Sequence, residues 1–119
     1  MIDSYKDLIV WQKAMDLALE VYSLTKLFPK EELYGLTSQI RRAVVSIPSN
    51  IAEGKRSHSK AEYLHYLSVA NGSLAEVDTQ LQLAIMIGYI NETQAVKAIG
   101  LRGEISRMLS SLRTKLGTA

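Results

Sequence analysis

The stretch from Ser59 to Gly88 reads SKAEYLHYLSVANGSLAEVDTQLQLAIMIG. Within it Leu67, Ala70, Leu74, Val77, Leu81, Ala84 and Gly88 step by three and four. That spacing lays one stripe along an α-helix, whereas a half-buried strand would alternate every second residue. Ser59 followed by Glu62 has the capping-box pattern, which satisfies backbone N–H groups that a first turn leaves without partners. Gly88 marks the expected end, because helices often close on a residue in the left-handed region. The expected helix spans about 59–88.

The same period continues outward. Toward the C-terminus a helix is expected over 91–116, opened by the capping pair Asn91 and Gln94 and striped by Leu101, Ile105, Met108, Leu112 and Leu116. Gly100 and Gly103 weaken it by about 1 kcal/mol each against alanine, or permit close helix approach. Toward the N-terminus, Leu33, Leu36, Ile40, Val44, Ile47 and Ile51 stripe a helix over 30–54. Glu31 and Glu32 suit its positive N-terminal end. Pro48 predicts a kink, since it removes one backbone hydrogen bond, and Gly54 is the expected stop. A first helix is expected over 7–27, with Trp11, Ala14, Met15, Ala18, Tyr22 and Thr25 facing the core. Either Ser4 and Asp7 form its capping box or Asp7 caps it alone. Phe28-Pro29 ends it, because the residue before proline avoids the α region.

Four helices joined by short loops predict an all-α, antiparallel up-down-up-down four-helix bundle in one domain over residues 1–119. A chain of 119 residues, 47% of them hydrophobic, can bury a core of that size. It has no cysteine, so disulfides and thiolate chemistry are excluded and a reducing, cytoplasmic setting suits it. No segment has a signal-peptide pattern, and no run of about 18 apolar residues predicts a membrane span. A net charge of +2 is too small by itself to imply nucleic acid.

The apolar residues exceed one stripe. At about 100° per residue, Val69, Leu83 and Ile87 lie opposite Leu74 and Leu81, and Val10, Leu17 and Leu24 are extra on helix 1. Apolar residues clustered on outer faces predict self-association. Helix 2 carries a different second stripe, Gln39, Arg42, Ser46, Asn50 and Glu53, with Gly35 and Ser49 beside it. This small, hydrogen-bonding face leaves three readings open: a polar network between helices or subunits in which Arg42 meets Glu53 or Glu76; a site that reads a phosphate or base through Arg42, Gln39 and Asn50; or plain solvent exposure.

Catalytic and metal chemistry find little support. Glu62 and His65 have the Glu-x-x-His spacing of di-iron bundles, but such sites need a second copy of the motif and two further glutamates. The other histidine, His58, follows Lys55 by three. No serine sits in a recognisable nucleophile motif and no Gly-x-x-x-x-Gly-Lys phosphate loop occurs. No catalytic, cofactor or metal residues are assigned, no small-molecule substrate is evident, and a non-enzymatic protein is expected.

The expected topology gathers charge at one end of the bundle. Lys6, Lys55, Arg56, Lys60, Arg107, Arg113 and Lys115 share it with Asp3, Asp7, Glu53 and Glu62, a balance of +3. The other end balances to zero. Several subunits side by side would multiply the basic end into a rim that binds RNA or DNA through phosphates and shape. For a single subunit, these side chains equally serve helix dipoles and solubility. Docking of a partner protein is the alternative function.

The helix 2 stretch Glu32–Gly54, ELYGLTSQIRRAVVSIPSNIAEG, resembles the signature of the four-helix-bundle proteins named for open reading frames in 23S rRNA intervening sequences. Leu8–Ala14 and Gly72–Glu76 are similar too. The resemblance covers roughly residues 5–90, and helix 4 matches only in pattern. It implies an antiparallel bundle that is one subunit of a barrel-like homopentamer. The accessory variability proteins of diversity-generating retroelements look like relatives, and they bind nucleic acid and a reverse transcriptase. The family name records where some of the genes lie rather than a ribosomal role. It brings no catalytic residues. The matching positions Gln39, Arg41, Arg42, Ser46, Asn50, Glu53, Gly54 and Glu76 are read as architectural.

Overall fold

The computed structural model describes residues 4–118. Among them are four α-helices, α1 (Ile9–Thr25), α2 (Leu36–Arg56), α3 (Lys60–Ile87) and α4 (Glu92–Thr118), and no strand. Short 3-10 turns at Tyr5–Asp7 and Lys30–Glu32 precede α1 and α2. Each helix packs against two others: α1 and α3 both contact α2 and α4. At 1.5 Å per residue the 28 residues of α3 span about 42 Å. That nearly equals the longest dimension of the molecule, 45 Å, so the long helices set its length.

α3 and α4 begin where their caps place them. The Glu62 N–H donates to Ser59 Oγ at 3.1 Å. Gly88 closes α3 at φ 96°, a conformation that favours glycine, and its N–H donates to the Ala84 and Ile85 carbonyls. Asn91 and Gln94 cap α4 reciprocally: the Gln94 N–H donates to Asn91 Oδ1 at 2.8 Å and the Asn91 N–H to Gln94 Oε1 at 2.9 Å. The α3 stripe from Leu67 to Ala84 is buried, as are Leu101, Ile105 and Leu109 on α4. Leu109 takes the core position expected of Met108, which is half-buried.

α2 departs from expectation at both ends. It starts at Leu36, because the Leu36 N–H donates to Glu32 Oε1 at 3.0 Å and the preceding residues close a 3-10 turn. Leu33 is therefore half exposed rather than core. At the other end Gly54 does not stop the helix, which runs on to Arg56. Gly54 serves close packing instead: a Cβ there would lie 2.9 Å from Tyr63 Cδ1 and 3.2 Å from Tyr66 Cβ. Pro48 sits inside α2 and is buried between Ile47 and Ile51.

α1 turns a different face inward. Val10, Ala14, Leu17, Ala18, Val21, Leu24 and Thr25 are buried, while Met15 and Tyr22 are exposed and Trp11 is half-buried. The supposed extras Val10, Leu17 and Leu24 are thus the core. Both stripes follow helical spacing and share Ala14, Ala18 and Thr25, so period alone cannot choose between them. Val10, Leu17, Val21 and Leu24 fill the interior, while Tyr22 keeps its hydroxyl at the surface. Neither expected cap opens α1. Ser4 Oγ accepts from the Lys6 N–H within the 3-10 turn, and Leu8 holds the N-cap position without a side-chain bond.

Candidate nucleic-acid interface and the polar groove between α2 and α3

Four of the expected rim residues come from neighbouring pieces of chain. Lys55 and Arg56 occupy the last turn of α2 and Lys60 the first residue of α3, across a loop of three residues, Ser57–Ser59. Ser57 Oγ donates to the Gly54 carbonyl at 2.6 Å, which ties that loop to the end of α2. Lys6 lies on the N-terminal 3-10 turn, which packs on α2. There Tyr5 stacks edge-on to Trp11 at 5.4 Å. Arg56, Lys60 and Lys6 are exposed, Lys55 is half-buried, and none makes an ion pair with a described residue. Asp7, Glu53 and Glu62 are also exposed, and Asp3 lies outside the described residues.

The α4 residues are spread more widely. Arg113 Nη2 donates to Ser68 Oγ at 3.4 Å, two turns into α3. Arg107 is six residues further back, about 9 Å along the helix, with its guanidinium beside Gly103. Lys115 is exposed in the last turns of α4. The basic surface is densest where α2 meets α3 and thins along α4.

The second stripe of α2 meets a matching one on α3. Asn50 Nδ2 donates to the Ser46 carbonyl at 2.8 Å and to Ser46 Oγ at 2.9 Å. Ser73 Oγ donates to Ser46 Oγ at 2.9 Å across the interface. A small network therefore joins the two helices, but its members are Ser46, Asn50 and Ser73. Arg42 pairs with neither Glu53 nor Glu76. It is exposed and lines an open groove of about 570 Å³ with Gln39, Glu76, Gln80 and the almost fully exposed Tyr34. Arg41 is occupied differently. Its Nε donates to Thr25 Oγ1 at 2.8 Å and its guanidinium lies 4.6 Å from the centre of the Tyr22 ring, so it ties α2 to α1.

Tyr34, Ser73 and Gln80 were not singled out among the candidate residues. Ser73, Glu76 and Gln80 step by three and four along α3, and that spacing was the available signal. Gln80 Oε1 is shielded from solvent and accepts no hydrogen bond from a described residue. Glu32 forms a further tie. Its Oε2 accepts from Tyr89 Oη at 2.7 Å while its Oε1 caps α2, and these bonds hold its carboxyl below the usual range. The same bond and the charge of Glu32 push the Tyr89 hydroxyl up.

Glu62 and His65 are both exposed, and the His65 ring lies against Tyr66. Among the described residues no three His, Cys, Asp or Glu side chains stand close enough to hold a metal ion. No helix there is long and apolar enough to cross a membrane.

The model of the family described as 23S rRNA-intervening sequence protein matches residues 6–111. That span takes in all of α1, α2 and α3 and most of α4. The chain belongs to this family. A crystal structure from Bacteroides thetaiotaomicron, of a protein of unknown function in the S23 ribosomal protein family, superposes with a TM-score of 0.81 at 26% identity. The match covers 88% of this chain and 98% of that one. No curated protein matches the chain. The match to the 23S rRNA-intervening sequence proteins includes the whole segment Glu32–Gly54, so both the α2–α3 network and the Arg41 tie fall within it.

Proposed function

We propose that this chain is a non-enzymatic subunit of a nucleic-acid-binding assembly, cytoplasmic, whose basic end engages structured RNA or DNA through phosphates and shape. The observation that carries this is the junction of α2 and α3, where Lys55, Arg56 and Lys60, with Lys6 nearby, make no ion pair with a described residue. Cations left unpaired at a surface are available to phosphate oxygens, and each contact adds affinity through counterion release.

The proposed architecture is an antiparallel up-down-up-down bundle. Gly54 against Tyr63 and Ser46 bonded to Ser73 are pairings in which one number rises as the other falls. The ion pairs Lys13–Glu104 at 3.1 Å and Glu20–Lys97 at 3.8 Å do the same for α1 and α4. The proposed assembly is a barrel-like ring of identical subunits, five by likeness to the family. Its support is the apolar surface that one bundle leaves open. Met15, Tyr22 and Val45 are exposed beside a groove lined by Trp11 and Pro48, and Val69, Leu83, Met86 and Ile87 are exposed on α3. Two different apolar faces suit head-to-tail contacts, which close into rings.

A mobility-shift assay with structured RNA and DNA tests the reading. Binding that weakens steeply with salt is expected. Partners captured from lysate that survive nuclease and high salt, with no shift of either nucleic acid, would favour a protein-docking scaffold instead.

A further inference from the structure

The groove between α2 and α3 carries a set of unmet hydrogen-bonding and charged groups. Arg42 and Glu76 both line it, yet they do not pair with each other. Arg42 offers donors to an anion, and Glu76 can only accept while ionised. Gln80 adds an amide whose oxygen accepts no hydrogen bond from a described residue and would turn to meet a ligand N–H. Tyr34, 94% exposed, offers a ring face at the groove's edge. The floor is closed by the Ser46–Ser73 bond.

We propose that this groove binds one unpaired guanosine of a nucleic-acid strand. A single nucleotide supplies each complement: a π face for Tyr34, a phosphate for Arg42, and base N–H groups for Glu76 and Gln80. Guanine is the base that fits a carboxylate, because its N1–H and N2–H2 donors sit side by side and can meet both oxygens. Adenine presents a lone pair at N1, and uracil flanks its one N–H with two carbonyls. The base must be unpaired, since Watson–Crick pairing would occupy that edge. A groove of about 570 Å³ is within the usual range for small-ligand sites, and its open side lets a strand lie across it.

This inference rests on the reading that the protein engages nucleic acid, and the test separates the two. Fluorescence anisotropy would compare labelled RNA pentanucleotides UUGUU, UUAUU and UUUUU. The wild type should bind UUGUU about tenfold more tightly than the others, the discrimination expected of one bidentate contact. Glu76→Gln should erase that preference without weakening UUUUU. Tyr34→Ala should weaken UUGUU and UUAUU together. Reversing Lys55, Arg56 and Lys60 to glutamate should lower affinity for all three strands and keep their ratio, so a failed rim leaves the groove's preference visible. Equal affinity for the three strands, no binding of any, or a preference that survives Glu76→Gln would overturn the proposal. So would a change in sedimentation on Glu76→Gln with base preference intact, which would mean that a second copy covers the groove.

Discussion

Gly54 shows how a single residue's role can be misjudged from its type. Glycine near the end of an apolar period predicts a stop, yet here it admits the Tyr63 and Tyr66 side chains against α2. Gly54→Ala should therefore destabilise the bundle by about 1–3 kcal/mol through overpacking, read as a lower urea midpoint. An unchanged or raised midpoint would mean that the tyrosines move aside freely. Glu32 acts at the same scale. Its carboxylate caps α2 and holds Tyr89, and its folded-state pKa is lowered, so its contribution is present above the unfolded pKa and is lost as pH falls through the folded one. Glu32→Gln should destabilise at neutral pH, and the gap to wild type should close as the solution is acidified. Thermal melts across that range would show it, and a gap independent of pH would contradict the carboxylate's role. None of this tie was legible beforehand, because it depends on the α3–α4 loop meeting residues 57 positions earlier.

Elements were legible in proportion to how self-contained their signals are. Ser59, Gly88, Asn91 and Gln94 cap helices through bonds within a few residues, and α3 lies within one residue of its expected ends. The start of α2 depends on Glu32 bending back in a 3-10 turn, and periodicity carries no mark of that. α1 is the instructive failure. It has two apolar stripes of equal period, and the choice between them is made by what α2 and α4 present. Leu17→Ala should cost about 2–5 kcal/mol as a core truncation, whereas Met15→Ser, on a face proposed for subunit contact, should cost less than Leu17→Ala. Denaturant melts of the two variants would check this, and a larger loss at Met15 would put the original stripe back in the core.

The whole molecule is a bundle with unsatisfied surfaces. The polar stripe on α2 is legible as unusual, and its partners Ser73, Glu76 and Gln80 on α3 follow the same spacing. Its resolution into a Ser46–Asn50–Ser73 network with Arg42 left over required the distances between helices. The surplus of apolar residues was legible too, although on α1 the exposed set is Ile9, Met15, Leu19 and Tyr22 instead of Val10, Leu17 and Leu24. Self-association through these faces predicts that the protein sediments well above its 13.2 kDa chain mass, and that Leu83→Asp lowers that mass without loss of helicity. A wild-type protein that sediments as a monomer would remove the ring. Phosphate binding at the α2–α3 junction is the proposed function. Its most direct test is the salt dependence of affinity for a structured RNA, measured for the wild type and for the Lys55→Glu, Arg56→Glu, Lys60→Glu variant. For the wild type the logarithm of the binding constant should fall linearly with the logarithm of salt concentration, and the variant should bind more weakly with a slope shallower by roughly one unit per lost phosphate contact. Equal slopes and equal affinities for the two proteins would contradict the claim.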